Sequence, residues 1–253
     1  MQAIYPKIRV MLNLDKLKGI IFDYGGTIDS NGKHWAEVLW EAYEDNQVPV
    51  TKKDFRDAYV FGERYLATNY IIEPSDTFKN LLEKKVDLQI NWLIEKGFLS
   101  KNDKPAQYSL AISSQCYRFA SFTLQKAIPV IQKLNEKYPM VLVSNFYGNV
   151  KSVLDDFGIT HYFKDIIESA VVGVRKPDPA IFSLGVEALG LCPEDVVVIG
   201  DSYSKDIIPA TAIGCKTIWL QGIGWEEDGL GQKADVIIHD FCELPVFLMP
   251  RSN

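Results

Sequence analysis

Three short apolar segments indicate how this 253-residue chain folds. They read GIIFD over residues 19–23, MVLVSN over residues 140–145 and VVVIGD over residues 196–201. Apolar runs of this length without alternation are typical of strands that are buried on both faces, as in a parallel sheet. Two further runs, over 216–220 and 235–238, follow the third segment. Helical patterns lie between the runs, so we expect an α/β protein with a doubly wound, mainly parallel sheet.

Two of the intervening helices have recognisable ends. Asp178 can cap a helix, Pro179 fits its first turn, and Gly190 follows the last apolar residue of the pattern. Pro129 is predicted to begin a second helix, whose apolar residues continue to Tyr138 on one side.

Residues 31–126 interrupt the alternation of strands and helices. They contain no clear strand, and 15 aromatic residues lie between Trp35 and Phe122. We therefore expect a smaller all-helical domain, inserted into an α/β core that is formed by residues 1–30 and 127–253. The aromatic residues either fill the core of this helical insert (residues 31–126) or line a lid over a pocket or a dimer face. Its helices are predicted at roughly 34–46, 51–69, 76–96 and 106–122.

The composition limits the classes of partner. Hydrophobic residues make up 47% of the chain and charged residues 24%, as in ordinary globular proteins. The net charge of −6 argues against nucleic acid and anionic membranes, because both favour a basic protein face. No apolar run approaches the roughly 18 residues that a membrane span needs. A small phosphorylated molecule stays compatible with this charge, since a local cation can hold one.

The expected location is the cytoplasm. The four cysteines form no C-x-x-C pair and are too sparse for a disulfide scaffold. Residues 1–18 contain no apolar block followed by small residues, so they are not expected to be a secretory signal.

Polar residues follow each of the three decisive strands. Asp23, Ser144 and Asp201 stand at strand ends that meet at one edge of a parallel sheet, where such folds bind ligands. Two carboxylates placed together repel unless a cation lies between them, and hard oxygen ligands with an open side suit Mg²⁺ shared with a phosphate. Lys176 can supply a second positive charge to this group.

The turn Gly25-Gly26-Thr27 follows the first of these carboxylates. Its flexible backbone is expected to leave free N–H groups that suit an anion, so Gly26 and Thr27 are candidate substrate-binding residues. Neither the phosphate-binding pattern G-x-x-x-x-G-K-[ST] nor the dinucleotide pattern G-x-G-x-x-G is present.

Four ordered motifs resemble those of the haloacid dehalogenase (HAD) superfamily. The similarity covers residues 19–30 and about 128–245, and the position of the helical insert is similar to that of the family's cap domain. The resemblance implies a HAD-like Rossmannoid core with a helical cap, and a Mg²⁺-dependent hydrolase of phosphorylated metabolites. The motifs are Asp23-Tyr24-Gly25-Gly26-Thr27, Ser144-Asn145, Arg175-Lys176-Pro177-Asp178-Pro179 and Gly200-Asp201-Ser202-Tyr203-Ser204-Lys205-Asp206.

The same resemblance implies a role for each matching residue. Asp23 would be the nucleophile that takes the phosphoryl group as an aspartyl-phosphate. Ser144 would hydrogen-bond a transferring oxygen, and Asn145 would help shape the substrate pocket. Lys176 would neutralise Asp23 and the phosphoryl group, and Asp206 would order Lys176 or a metal-bound water. The expected metal ligands are Asp23, the Gly25 carbonyl and Asp201.

Gly25 departs from the family pattern. The family's phosphatases carry at this position an aspartate that protonates the leaving group and later activates water, whereas glycine keeps the backbone carbonyl and lacks this acid. Asp29 is close in sequence, but it is expected to point towards the cap hinge. Three interpretations stay open: a phosphatase of reduced or unusual activity, a phosphonate-cleaving or dehalogenase-type HAD reaction, and a non-catalytic binder or regulator. Phosphonate cleavage would need a cap lysine, for which Lys52, Lys53, Lys79, Lys84 and Lys85 are available.

Overall fold

A parallel sheet forms the centre of the computed structural model, which describes residues 16–222 and 233–249. Within these residues six strands lie in the order β3-β2-β1-β4-β5-β6, and every neighbouring pair is parallel. The predicted doubly wound α/β fold is therefore confirmed. The strands are β1 (Gly19–Phe22), β2 (Met140–Ser144), β3 (Asp165–Glu168), β4 (Val196–Gly200), β5 (Lys216–Leu220) and β6 (Val236–Ile238).

Side chains that alternate along the central strands enter two separate apolar layers. Ile21 and Val198 pack into one layer, against a helix that begins at Ala180. Phe22 and Ile199 point to the opposite layer, which continues into the helical insert. The central strands consequently have few polar residues, since both of their faces are removed from water.

The helices flank this sheet in the expected places. The helix Ala180–Leu189 (α7) begins at Ala180, whose N–H donates to Asp178 Oδ1 at 2.9 Å. Gly190, with φ 72°, follows its last residue. A single π-helical turn over Tyr203–Ile207 leads into α8. The helices are α1 (Trp35–Asp45), α2 (Lys52–Thr68), α3 (Phe78–Glu95), α4 (Pro105–Asn135), α5 (Val150–Asp156), α6 (Ser169–Val172), α7 (Ala180–Leu189), α8 (Ile208–Ala212) and α9 (Leu244–Leu248).

The prediction that Pro129 begins a helix is wrong, because α4 runs through this residue without a break. A proline inside a helix removes one hydrogen bond at a cost of about 3 kcal/mol. A continuous buried stripe that includes Cys116, Leu124 and Ile131 lies on both sides of the proline and offsets that cost. The predicted domain boundary at residue 126 falls inside this helix, so the division into core and cap stays a prediction.

One strand lies beyond the predictions from sequence. β3 was not predicted, because its sequence DIIE has only two apolar residues and it forms an edge of the sheet. None of the described helices is long and apolar enough to cross a membrane. Most of residues 1–18, which are not expected to be a secretory signal, lies outside the described residues.

Candidate active site

Four charged side chains meet at the carboxyl edge of the sheet. Asp23 follows β1, Asp201 follows β4, and Asp206 lies in the π-helical turn. One carboxylate oxygen from each of these three residues lies within 4.8 Å of the others. The Lys176 ammonium donates to Asp23 Oδ1 at 2.6 Å and to Asp206 Oδ1 at 2.7 Å. The structure thus brings together the predicted nucleophile, the predicted cation and both further acids.

Burial and mutual charge shift the pKa values of Asp201 and Lys176. Burial and the carboxylates of Asp23 and Asp206 raise the pKa of Asp201 well above its usual value. Burial by itself would lower the pKa of Lys176, but the carboxylates of Asp206 and Asp23 outweigh it and raise that pKa. Lys176 is therefore a permanent cation, and one cation faces three carboxylates.

Two glycines allow the acids to approach the chain closely. Gly26 has φ +101°, and a Cβ placed on it would lie 2.4 Å from Asp201 Oδ2. A Cβ on Gly200 would lie 2.5 Å from the Asp206 carboxyl. Gly25 is different, because its Cβ would have nothing within 4 Å and its φ lies outside the positive range.

The turn after Asp23 uses its polar groups internally. The Gly26 N–H donates to Asp29 Oδ1 at 2.8 Å, and the Thr27 N–H donates to the Tyr24 carbonyl at 3.2 Å. The Thr27 hydroxyl lies 3.0 Å from both Asp23 Oδ2 and Asp201 Oδ1. The expectation of free N–H groups at Gly26 and Thr27 is therefore wrong, since the tight turn satisfies them locally. Contact of either residue with substrate stays a prediction.

Ser144 and Asn145 differ in what they contact. Ser144 is buried at the end of β2, and none of the described residues hydrogen-bonds its hydroxyl. The Asn145 side chain donates to the Lys176 carbonyl at 3.0 Å and accepts from the Lys176 N–H at 2.9 Å. Asn145 therefore positions the lysine, which its place beside Ser144 in the sequence did not reveal.

Asp29 lies at the junction between the catalytic turn and the helical insert. Its second oxygen accepts from Trp35 Nε1 at 2.9 Å, and Trp35 is the first residue of α1. This is the direction that the sequence predicted. Burial raises the pKa of Asp29 to about 7, although the hydrogen bonds from Gly26 and Trp35 oppose this change.

A cavity of about 880 Å³ opens above these residues, between the sheet edge and the helical insert. The insert contributes aromatic residues such as Trp35, Tyr59 and Phe78 to its wall. Other aromatic residues of the insert, including Tyr43 and Phe55, pack against each other in its interior. Aromatic residues of the insert therefore both fill its interior and line the cavity.

A polar trio in the cavity wall joins α2, α3 and the loop after β2. Lys85 Nζ lies 2.7 Å from Glu63 Oε1 and donates to the Tyr147 hydroxyl at 2.9 Å. Tyr147 in turn donates to Glu63 Oε2 at 2.6 Å. Sequence reasoning named Lys85 as one of five cap lysines but missed Glu63 and Tyr147, because no local pattern connects these three segments.

Comparisons with known proteins agree with this geometry. A family model described as haloacid dehalogenase-like hydrolase matches residues 17–214. The chain belongs to this family. The resemblance that the four motifs carried is thereby confirmed, and so is the prediction of a HAD-family hydrolase.

Curated relatives cover different shares of the chain. The haloacid dehalogenase-like hydrolase domain-containing protein 3 of Danio rerio is 33% identical over 44% of this chain and 46% of its own length. The glyceraldehyde 3-phosphate phosphatase of Pyrococcus furiosus is 36% identical over 40% of each chain. The chain thus spans less than half the length of these two relatives. The phosphoglycolate phosphatase of Pectobacterium atrosepticum is 24% identical over 92% of this chain and 93% of its own.

Solved structures support the fold. The HAD-hydrolase YfnB from Bacillus subtilis, solved with bound magnesium, aligns with a TM-score of 0.56 at 21% identity. The alignment covers 92% of this chain and 98% of that one. At this identity the likeness shows the fold, with the helical segment between the first two strands of the core.

Proposed function

We propose that this chain is a Mg²⁺-dependent phosphatase that acts on a small phosphorylated metabolite through an aspartyl-phosphate at Asp23. The observation that carries the proposal is the contact between Asp23 and the buried Lys176 ammonium, at the floor of a cavity that has two further carboxylates. The names of relatives that are phosphoglycolate and glyceraldehyde 3-phosphate phosphatases support this reaction type. Location in the cytoplasm stays a prediction from the sequence.

The donor set of the site fits a divalent cation. One ammonium faces three carboxyl groups, so a second cation would compensate the charge that these groups carry when they are ionised, and hard carboxylate oxygens suit Mg²⁺. Asp23, Asp201 and the Gly25 carbonyl would hold the ion. When bound, it would neutralise charge on the phosphoryl group and on the carboxylates.

The chain's own residues account for the transfer of the phosphoryl group. The Asp23 carboxylate attacks phosphorus, the bond to the leaving oxygen breaks, and an aspartyl-phosphate forms. Lys176 stabilises the charge of the attacking carboxylate and of the phosphoryl oxygens, while Ser144 offers its hydroxyl to one of them. Asp206 and Asn145 keep the lysine in place from its side chain and from its backbone.

Departure of the leaving group is the weak step in this site. Gly25 supplies no proton. The raised pKa of Asp29 keeps a proton on that carboxyl up to about pH 7, but its two oxygens are engaged by the Gly26 N–H and by Trp35 Nε1. Positioned acid–base catalysis contributes about 10²–10⁴-fold to such reactions. We therefore expect aryl and acyl phosphates to transfer their phosphoryl group to Asp23 faster than alkyl phosphates do.

The geometry does not favour the phosphonate-cleaving alternative. That reaction needs a neutral lysine as nucleophile, and Lys85 is the cap lysine that lines the cavity. Burial would lower the pKa of Lys85, but Glu63 outweighs this effect and raises it, so the ammonium stays protonated. Other cap lysines form ion pairs away from the cavity, such as Lys52 with Glu37.

The test combines turnover with a stable mimic of the intermediate. Phosphate release from para-nitrophenyl phosphate and a panel of metabolites is measured with Mg²⁺ and with EDTA, on the natural chain and on Asp23→Asn. We expect Mg²⁺-dependent turnover that the substitution abolishes. Beryllium fluoride with Mg²⁺ should raise the melting temperature of the natural chain but not of Asp23→Asn, because a bound species stabilises the folded state. Absence of both turnover and this shift would identify a non-catalytic binder.

A further inference from the structure

The wall of the cavity has an excess of positive charge away from the catalytic carboxylates. Beyond the group around Asp23 and its neighbour Asp29, one carboxylate, that of Glu63, lines the cavity. Five cations line the same region, although the whole chain has a net charge of −6. These cations are Arg56, Arg64, Lys85, Arg175 and Lys205.

Three of these cations form no ion pair with another described residue. Arg64, Arg175 and Lys205 are exposed, and none of them forms a salt bridge within residues 16–222 and 233–249. They come from the helical insert, from the loop before α7 and from the π-helical turn. Charges from distant parts of the chain therefore converge on one cavity, which focuses the field on a bound anion.

Lys85 adds a buried cation to this wall. Its side chain is 8% exposed, and Glu63 and Tyr147 hold its ammonium in place. Lys85 is itself one of the residues that line the cavity, so its charge acts on an anion that is bound there.

We infer that the substrate carries a second anionic group, separate from the phosphoryl group that is transferred, and that Arg64, Arg175 and Lys85 bind it. The substrate class is thus a phosphorylated carboxylic acid or a bisphosphate. This inference rests on the proposed phosphatase function, because Lys176 and the catalytic carboxylates are assigned to the first phosphoryl group. The second group needs its own cations, and the wall supplies them.

Matched substrates test this inference. Glycerol 3-phosphate and 3-phosphoglycerate have the same ester position but differ in one carboxylate, and fructose 6-phosphate and fructose 1,6-bisphosphate differ in one phosphate. We expect kcat/KM to favour the more anionic member of at least one pair about tenfold or more, as one hydrogen bond to a charged group allows. The pair that shows the preference distinguishes a carboxylate from a phosphate as the second group.

Variants locate the preference on the protein. The double variant Arg64→Gln/Arg175→Gln should reduce the ratio within that pair to less than about threefold. Arg118→Gln is the matched control, because Arg118 is an exposed arginine of α4 outside the cavity wall, and it should retain the full ratio. The ratio should also fall as NaCl is raised towards 1 M, since screening shortens the range of exposed charges from about 10 Å to about 3 Å.

A binding measurement separates this inference from the proposed reaction. Calorimetry on Asp23→Asn, which lacks the nucleophile, gives the affinity for each member of both pairs without turnover. If the natural chain hydrolyses nothing, the proposed function fails, and the affinity ratio still decides the second-anion inference. Equal affinity or equal kcat/KM within both pairs, no binding of any of the four compounds, or a ratio unchanged in the double variant would each overturn it.

Discussion

Replacement of Gly25 by aspartate should increase hydrolysis of alkyl phosphates. The alkoxide leaving group is a strong base, so a proton donor assists its departure, and Gly25 has none to offer. The site has room for the new side chain, because a Cβ at Gly25 meets nothing within 4 Å and the backbone φ is not positive. The backbone carbonyl that is proposed to bind the metal stays in place.

The local charge favours the acidic form of the new residue. The catalytic carboxylates of Asp23 and Asp201 stand close to this turn, since the Thr27 hydroxyl lies 3.0 Å from both of them. Like charges raise the pKa of an added carboxyl, which favours its protonated form. We expect a gain of about 10²-fold in kcat for an alkyl phosphate, the low end of acid–base effects.

The assay compares two leaving groups in four proteins. Glycerol 3-phosphate needs a proton on departure, whereas para-nitrophenyl phosphate departs without one and should gain much less. Gly25→Asn has nearly the same shape as Gly25→Asp without an acid, and Gly25→Ala tests the added Cβ alone. Neither control should raise alkyl turnover, and melting curves show that all variants fold.

Two outcomes would contradict a role for a missing acid at Gly25. If a well-folded Gly25→Asp protein hydrolyses glycerol 3-phosphate no faster than the natural chain, the missing acid does not limit the reaction. If Gly25→Asn gives the same gain, the effect comes from packing or hydrogen bonding rather than from proton transfer.

Four further predictions follow from the same contacts. Asp201→Asn should weaken Mg²⁺ binding in calorimetry and yet raise the melting temperature of the metal-free protein, because it removes one of three crowded carboxylates; unchanged Mg²⁺ affinity would contradict the metal site. Gly26→Ala should abolish turnover, since its Cβ would meet the Asp201 carboxyl at 2.4 Å; an active variant would show that the turn can shift. Lys176→Met should abolish turnover and lower stability by about 3–5 kcal/mol in urea unfolding, the cost of breaking a buried ion pair; normal turnover would remove the lysine from the mechanism. Asp29 stays protonated in the folded state up to a pKa of about 7 but ionises near its ordinary value of 3.8 when unfolded, so its contribution to stability is full below about pH 4 and is lost as pH rises to about 7. That loss is about 4 kcal/mol, and Asp29→Asn should flatten the pH dependence of urea unfolding over this range; parallel profiles would contradict it.

Five of the six described strands and most residues of the candidate site could be predicted from the sequence. Each apolar run is buried on both faces, so its hydrophobicity is a local signal that survives in the folded chain. Parallel strands place their carboxyl ends at one sheet edge, which is why Asp23, Ser144 and Asp201 meet there. Family membership could be predicted from the same motifs, because their residues lie at this edge of the sheet.

Other features depended on contacts between distant segments, which no local pattern encodes. α4 continues through Pro129 because the packing of its buried face outweighs one lost hydrogen bond. The Gly26 N–H is taken by Asp29 rather than left for an anion, because the turn closes tightly on itself.

The cavity wall shows the same dependence most clearly. Glu63, Lys85 and Tyr147 are separated by 22 to 84 positions, yet they form one hydrogen-bonded trio. The sequence of the insert does not show which helix faces meet. The packing of α2 and α3 over the loop after β2 brings these three side chains into contact. Local sequence patterns were therefore sufficient for the fold class and for the sheet edge that holds the candidate site, whereas the side chains that line the cavity depend on the packing of distant segments.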